Sequence, residues 1–228
     1  MRRIVEPMLD LLLPRRCVVC GTPGVLACED CVAQLHRIRA PLCERCGAPT
    51  AWPVRRCREC TGRRLAFASA RAAIAYDESA RALVGAWKQR ALRGLAAAAG
   101  AIAADALEPP RVALLVPAPA DPERGLVRGH HPAAALAREL SDRWHLPTAA
   151  ILARAHGPPQ RGLGRAERRR NAASVAATAR APTRVALVDD VYTTGATASA
   201  AASALRRAGA REVRVITLAR TVRDGPFG

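Results

Sequence analysis

RVALVDDVYTTGATASAAASALRRA, residues 184–208, decides the reading of this chain. Val185, Ala186, Leu187 and Val188 form an unbroken apolar run, the pattern of a strand covered on both faces in a parallel sheet. Asp189 and Asp190 stand at its carboxyl end, the edge above which open α/β sheets bind ligands. Val191 and Tyr192 lead into Thr193, Thr194, Gly195, Ala196 and Thr197, a small loop with three hydroxyls and a glycine free to take left-handed angles. From Ala196 to Ala208 the residues favour helix, with Arg206 and Arg207 in the last turn and Gly209 as the stop.

A helix that starts on such a loop offers unpaired N–H groups and roughly half a positive charge, which suits a phosphate. Two carboxylates on the phosphate itself would repel it. Asp189 and Asp190 are therefore expected to meet sugar hydroxyls or to act through a metal ion a short distance away. Together the parts describe a ribose 5-phosphate site.

The second signal is cysteine. All eight fall before residue 61, in four CxxC pairs: Cys17/Cys20, Cys28/Cys31, Cys43/Cys46 and Cys57/Cys60. Without an export signal this spacing reads as thiolate bites for two structural zinc ions in a reducing compartment, with the pairing sequential or interleaved. Gly21 and Gly47 follow the first and third pairs and fit the tight knuckle turn. A double zinc ribbon over 1–64 is expected ahead of an α/β domain over 65–228, with the domain boundary at 61–66.

Composition narrows the partners. The chain has 228 residues and a formal charge of +17, with 36 basic groups, of which Lys88 is the lone lysine. Aromatic residues make up only 3%, so no basic stripe interleaved with rings points to single-strand stacking. No run of 18 apolar residues exists, so no membrane insertion is expected, and MRRIVEPMLDLLLPRRC lacks a cleavage site; the expected location is cytoplasmic.

Between the signals, Ala72, Ile74 and Tyr76 alternate as a strand, Ser79 to about Gln89 and Leu95 to Leu107 read as helices, and Val112 to Val116 as a second buried strand. Pro132 to Trp144 reads as a helix, Ile151 and Leu152 end a short strand, and Val213 to Leu218 form a strand parallel to the one before it. Arg124 and Arg128, in a proline-stiffened loop after Val116, suit a pyrophosphate. HGPPQRGLGRAERRRN, residues 156–171, carries Arg161 and Arg165 in a glycine-rich segment that reads as a cationic lid, and Lys88 is grouped with these pyrophosphate candidates.

VALVDDVYTTGAT resembles the phosphoribosyl pyrophosphate (PRPP) motif of type I phosphoribosyltransferases. With the four cysteine pairs, AWKQR around Lys88, LVPAPADPERGLVRG and PPQRGLGRAERRRN, the chain resembles the ComF (competence protein F) family along nearly its full length. The resemblance implies a type I phosphoribosyltransferase fold behind a zinc ribbon, a mostly parallel sheet flanked by helices. It carries Asp189 and Asp190 to the ribose hydroxyls as the catalytic acids, Thr193 to Thr197 to the 5-phosphate, and the eight cysteines to zinc. It also implies magnesium with PRPP, a part in DNA uptake during natural transformation, and partners among single-stranded DNA and competence helicase or recombination factors. The chain departs from the family at LVRGHHPA, with His130, His131 and Pro132 in place of an aromatic, asparagine and glutamine, and at Gly157 in place of a threonine. The acceptor is therefore not carried over. A non-catalytic adaptor binding PRPP or single-stranded DNA, and an interaction module with a degenerate core, are the other classes compatible with these motifs.

Overall fold

The computed structural model describes residues 15–89, 92, 94–120, 131–154 and 175–222. Arg124, Arg128, Arg161 and Arg165 lie outside the described residues. In chain order the elements are α1 (Glu29–Ala33), β1 (Ser69–Ala75), α2 (Glu78–Gln89), α3 (Leu95–Ala106), β2 (Leu114–Pro117), α4 (Pro132–Trp144), β3 (Leu152–Arg154), β4 (Val175–Ala177), β5 (Arg184–Tyr192), α5 (Ala196–Arg207) and β6 (Glu212–Arg220).

Four strands pair in the order β1-β6-β5-β2, all parallel. Val185, Ala186, Leu187 and Val188 at the centre of β5 are wholly buried, as the apolar run requires when both faces are covered. Ala186 and Val188 pack with Leu83, Trp87, Leu95, Ile102, Leu136 and Leu140 of α2, α3 and α4. Val185 and Leu187 face Ala201, Ala202 and Leu205 of α5. The result is a parallel sheet flanked by helices with the ribbon segment at its N-terminal side.

Three boundaries differ from the sequence reading. β1 begins at Ser69, ahead of Ala72, because its first residues gain ladder partners from Arg214 and Val215 of β6. β5 runs on through Tyr192, so both acids and the two residues after them are strand. Leu152 begins a short strand where a strand end was expected, pairing antiparallel with Val175–Ala177, a strand too short to show a period.

The ribbon segment is joined to the sheet along both its halves. The stretch 36–38 bonds to the outer edge of β1, with the Ile38 amide donating to Ala73 O at 3.0 Å and the Ala75 amide to His36 O at 2.8 Å, so the edge is covered. Cys43, Cys46 and Cys60 are buried in the same cluster as Phe67, Tyr192, Val213, Val215 and Leu205. Packing is continuous across residues 61–66, with Cys60, Leu65 and Phe67 in one buried cluster.

Helices α3 and α4 approach closely at Gly100, where an added Cβ would lie 2.3 Å from Glu139 Cβ. Alanine gains about 1 kcal/mol of helix propensity over glycine, but the clash costs about 1–3 kcal/mol of forced displacement. Gly100→Ala should therefore lower the urea midpoint, whereas Gly85→Ala in α2, where an added Cβ meets nothing within 4 Å, should raise it.

Candidate functional site

The two strand lengths around β5 create the site. β2 pairs with it only from Val185 to Val188, whereas β6 stays paired to Tyr192. The acids thus project past the end of one neighbour while remaining fixed by the other, on the crevice side of the sheet. They are also locked locally: the Asp190 amide donates to Asp189 Oδ1 at 2.9 Å and the Val191 amide to Asp190 Oδ1 at 2.7 Å.

Successive strand residues point to opposite faces, so the two carboxylates meet different partners. Asp190 receives Lys88 Nζ at 2.7 Å from the last turn of α2. Asp189 lines a cavity of about 20 Å³ with Val191, Tyr192, Thr193, Gly195, Thr197, Ala198 and Thr217. Loss of hydration, and then the charge of Asp190, push the Asp189 carboxyl up to about 7.

The loop keeps donors open. Gly195 is the N-cap of α5 with φ 72° and has no side chain to cap that end; among the described residues, only the Ala196 amide of the first turn meets a side chain, Thr194 Oγ1. Below it the cavity is closed by the Tyr192 ring, whose hydroxyl lies 2.3 Å from where a Cβ at Gly195 would be, so glycine is required for space as well as for angle. Of the loop residues named from sequence, Thr193, Gly195 and Thr197 line the cavity, while Tyr192 is 5% exposed and packs edge-on against Phe67 at 6.2 Å between centroids. Val191 also lines it, and Thr194 Oγ1 accepts the Ala196 amide at 3.3 Å, shaping the turn.

Thr217 was not singled out in the sequence. It sits opposite Asp189 in the β5–β6 ladder, is 1% exposed, and its Oγ1 has no hydrogen-bond partner. A buried hydroxyl without a partner costs about 1–3 kcal/mol, so a polar group bound in the cavity would relieve it. The signal was there: one hydroxyl in the otherwise apolar run from Val215 to Ala219.

The cysteines form two sites, paired sequentially. Cys17, Cys20, Cys28 and Cys31 make one and Cys43, Cys46, Cys57 and Cys60 the other, the sulfurs of each lying within 4.8 Å of one another. Sulfur separations of 3.6 Å for Cys20–Cys28, 3.6 Å for Cys43–Cys60 and 3.4 Å for Cys46–Cys57 exceed a disulfide and match the ~3.8 Å edge of a tetrahedron with ~2.3 Å zinc–sulfur bonds. Gly21 and Gly47 take φ 78° and 69°, and their amides donate to Cys17 O and Cys43 O, giving the knuckle turns expected from sequence. The residues fit structural zinc.

Comparison with known proteins agrees on the ribbon: residues 8–61 match the double zinc ribbon domain. Among solved structures, the chain is similar to glutamine PRPP amidotransferase from B. subtilis, complexed with ADP and GMP, at 21% identity over 54% of this chain, with a TM-score of 0.35. It spans only 25% of that enzyme's length. A purine phosphoribosyltransferase from Pyrococcus horikoshii Ot3 is similar at 18% identity, over 55% of this chain and 82% of that one, with a TM-score of 0.33. No curated protein matches the chain. A double zinc ribbon joined to a parallel α/β sheet with an acid pair and a hydroxyl-rich loop at its crevice is the class that fold and site define; the sheet assignment rests on the strand register. Among the described residues no helix is long and apolar enough to cross a membrane.

Two outcomes follow from this geometry. Purified protein should hold two zinc ions per chain, read by metal analysis, with eight thiols titrating after chelation and denaturation. Asp189 generates the other. Its folded pKa of about 7 lies above the ordinary aspartate value, so the stability it carries is fully present below about pH 4, falls as pH rises, and is gone above about pH 7. Asp189→Asn retains the acceptor for the Asp190 amide and should stabilise the ligand-free protein, by an amount growing from pH 5.5 to 7.5 and level beyond. Solvent reaches the partly exposed residue, which keeps the gain to roughly 1–2 kcal/mol.

Proposed function

We propose that this chain is a PRPP-binding phosphoribosyltransferase-like protein. The observation that carries the reading is the N-terminus of α5, entered through left-handed Gly195 with no N-cap side-chain bond, a few residues after an acid pair that projects beyond β2. Open amides and the hydroxyls of Thr193 and Thr197 meet the 5-phosphate. The acid pair, near the end of β5 just ahead of that loop, meets the ribose hydroxyls.

Each residue then has a physical task. The helix end supplies fixed dipoles to the phosphate, which costs no reorganisation when the ligand arrives. Asp190 releases Lys88 as it takes a ribose hydroxyl, leaving the ammonium within reach of the pyrophosphate. Asp189, with Thr217 across the ladder, holds the other side of the sugar, and its poorly hydrated carboxyl gains a hydrogen bond there. Held this way, the ribose is oriented so that departure of pyrophosphate from the anomeric carbon needs little further ordering. Magnesium bound with PRPP would neutralise charge on the departing pyrophosphate, and Asp190, whose carboxylate oxygens are hard donors, is the residue that would hold it.

The part in DNA uptake, with single-stranded DNA and competence factors as partners in the cytoplasm, follows from the likeness to the competence protein F motifs. The excess of 36 basic over 19 acidic groups supports contact with nucleic-acid phosphates.

Thermal unfolding tests the central reading. Mg-PRPP at ~100 times its dissociation constant should stabilise the native state by ~2.7 kcal/mol, a rise of several degrees in Tm. Thr197→Val and the Asp189→Asn/Asp190→Asn double variant should lose the shift. Pyrophosphate release by wild type, absent in the double variant, separates an enzyme from an adaptor. An undiminished shift in both variants places the ligand elsewhere.

A further inference from the structure

The last residue of β6, Arg220, is 1% exposed. Its guanidinium donates to Cys46 O at 2.5 Å and to Glu59 Oε2 at 3.0 Å. Both acceptors belong to the second zinc site: Cys46 is a ligand, and Glu59 lies between the ligands Cys57 and Cys60. The same guanidinium lies over the Tyr192 ring, 5.0 Å from its centroid. That ring is the floor beneath Gly195.

Other contacts run the same way. Arg63, three residues past Cys60, donates through Nη2 to Thr194 O at 2.6 Å. The Ala66 amide donates to Ser199 Oγ at 3.1 Å in the first turn of α5, and Phe67 packs against Tyr192. The loop from 192 to 199 is thus held at its floor, at its tip and in its first helical turn by residues that leave the second cysteine cluster. The first cluster is placed elsewhere: Val18, Leu26, Ala27 and Val32 around it pack with the cluster that contains α2, α3 and α4.

We infer that the second zinc site is the mount of the phosphate loop, with Arg220, Arg63 and Glu59 as positioning residues, so that metal occupancy at Cys43, Cys46, Cys57 and Cys60 sets whether the loop is ordered for its ligand. The first zinc site has no such role. A guanidinium this deeply buried needs its acceptors in place, because an uncompensated buried charge is strongly unfavourable. When the thiolate site opens, Cys46 O and Glu59 leave together, Arg220 must seek water, and Tyr192 loses both the charge above it and the wall that Phe67 provides. The consequence is a site whose ligand affinity depends on zinc although zinc touches no ligand.

The inference rests on reading residues 193–197 as the phosphate loop, and its test is read first without ligand. Amide hydrogen exchange by mass spectrometry on the full-length, zinc-loaded protein follows the peptide spanning residues 192–200, with zinc content measured on the same samples. Cys57→Ser should lose one zinc and speed exchange of that peptide at least tenfold. Cys28→Ser should lose one zinc and leave it within twofold. Arg220→Met and Arg63→Ala should keep both zinc ions and still speed exchange, which covers the case in which the cysteine variant does not fold. Unchanged exchange in Arg220→Met and Arg63→Ala, or equal acceleration in Cys28→Ser, overturns the inference. Mg-PRPP binding, measured by calorimetry on the wild type, separates the two readings. If exchange follows the stated pattern and PRPP does not bind, the mount stands and the ligand assignment fails; if PRPP binds and the pattern is absent, the mount fails alone.

Discussion

A buried arginine ties three parts of this molecule together. Arg220 closes β6, and at 1% exposure it has given up nearly all its hydration, so the fold must return acceptors to it at fixed places. A backbone carbonyl beside a zinc ligand, a carboxylate in the same ribbon and an aromatic face supply them. Losing one partner of such a pair costs about 3–5 kcal/mol, a large part of the stability of an ordinary domain. Ribbon, sheet and loop thus meet at this guanidinium, alongside the backbone bonds of 36–38 to β1 and the Arg63 contact to Thr194.

Much of the site was legible because its signals are local. Leu187 and Val188 read as buried strand from the apolar run 185–188, and Gly195 as the turn into α5, all within a dozen residues, whereas Asp189 and Asp190 read as the strand's tip and lie inside it. Zinc spacing is local too, and the four CxxC pairs gave the ligands, though not which pairs share an ion. What could not be read is long-range. Arg220 and Glu59 are 161 residues apart, and in a chain so rich in arginine no pattern marks the one that is buried. Thr217 meets Asp189 only through the β5–β6 register, and Lys88 reaches Asp190 only through the packing of α2. The extension of β5 beyond Val188 was missed because acids and threonines do not look like strand until a neighbour pairs them.

The second cysteine cluster also does the work of apolar side chains. Cys43 and Cys60 are wholly buried and Cys46 nearly so, packed with Phe67, Ala70 and Val215. In most small ribbons the metal substitutes for a core that the segment is too short to build. Here the same sulfurs extend the core of the larger domain, with zinc fixing their geometry. The metal therefore stabilises two layers at once, and its loss would be felt at α5 as well as in the ribbon.

That arrangement changes how the charge is counted. Four thiolates around a zinc ion carry a net charge of about −2, and near the second site it is balanced from outside the ribbon. Arg220 lies close enough to draw the Cys46 thiol downward against the larger effect of its burial, and the half-buried Arg71 feels the charges of Cys43 and Cys46 while desolvation pulls its own pKa down. Both arginines belong to the 65–228 segment, where 24 basic groups face 13 acids. Arg220 thus answers an internal demand and is not offered to a polyanion. The +17 of the sequence overstates what the surface presents, because part of the arginine excess is the counter-charge of its own zinc sites.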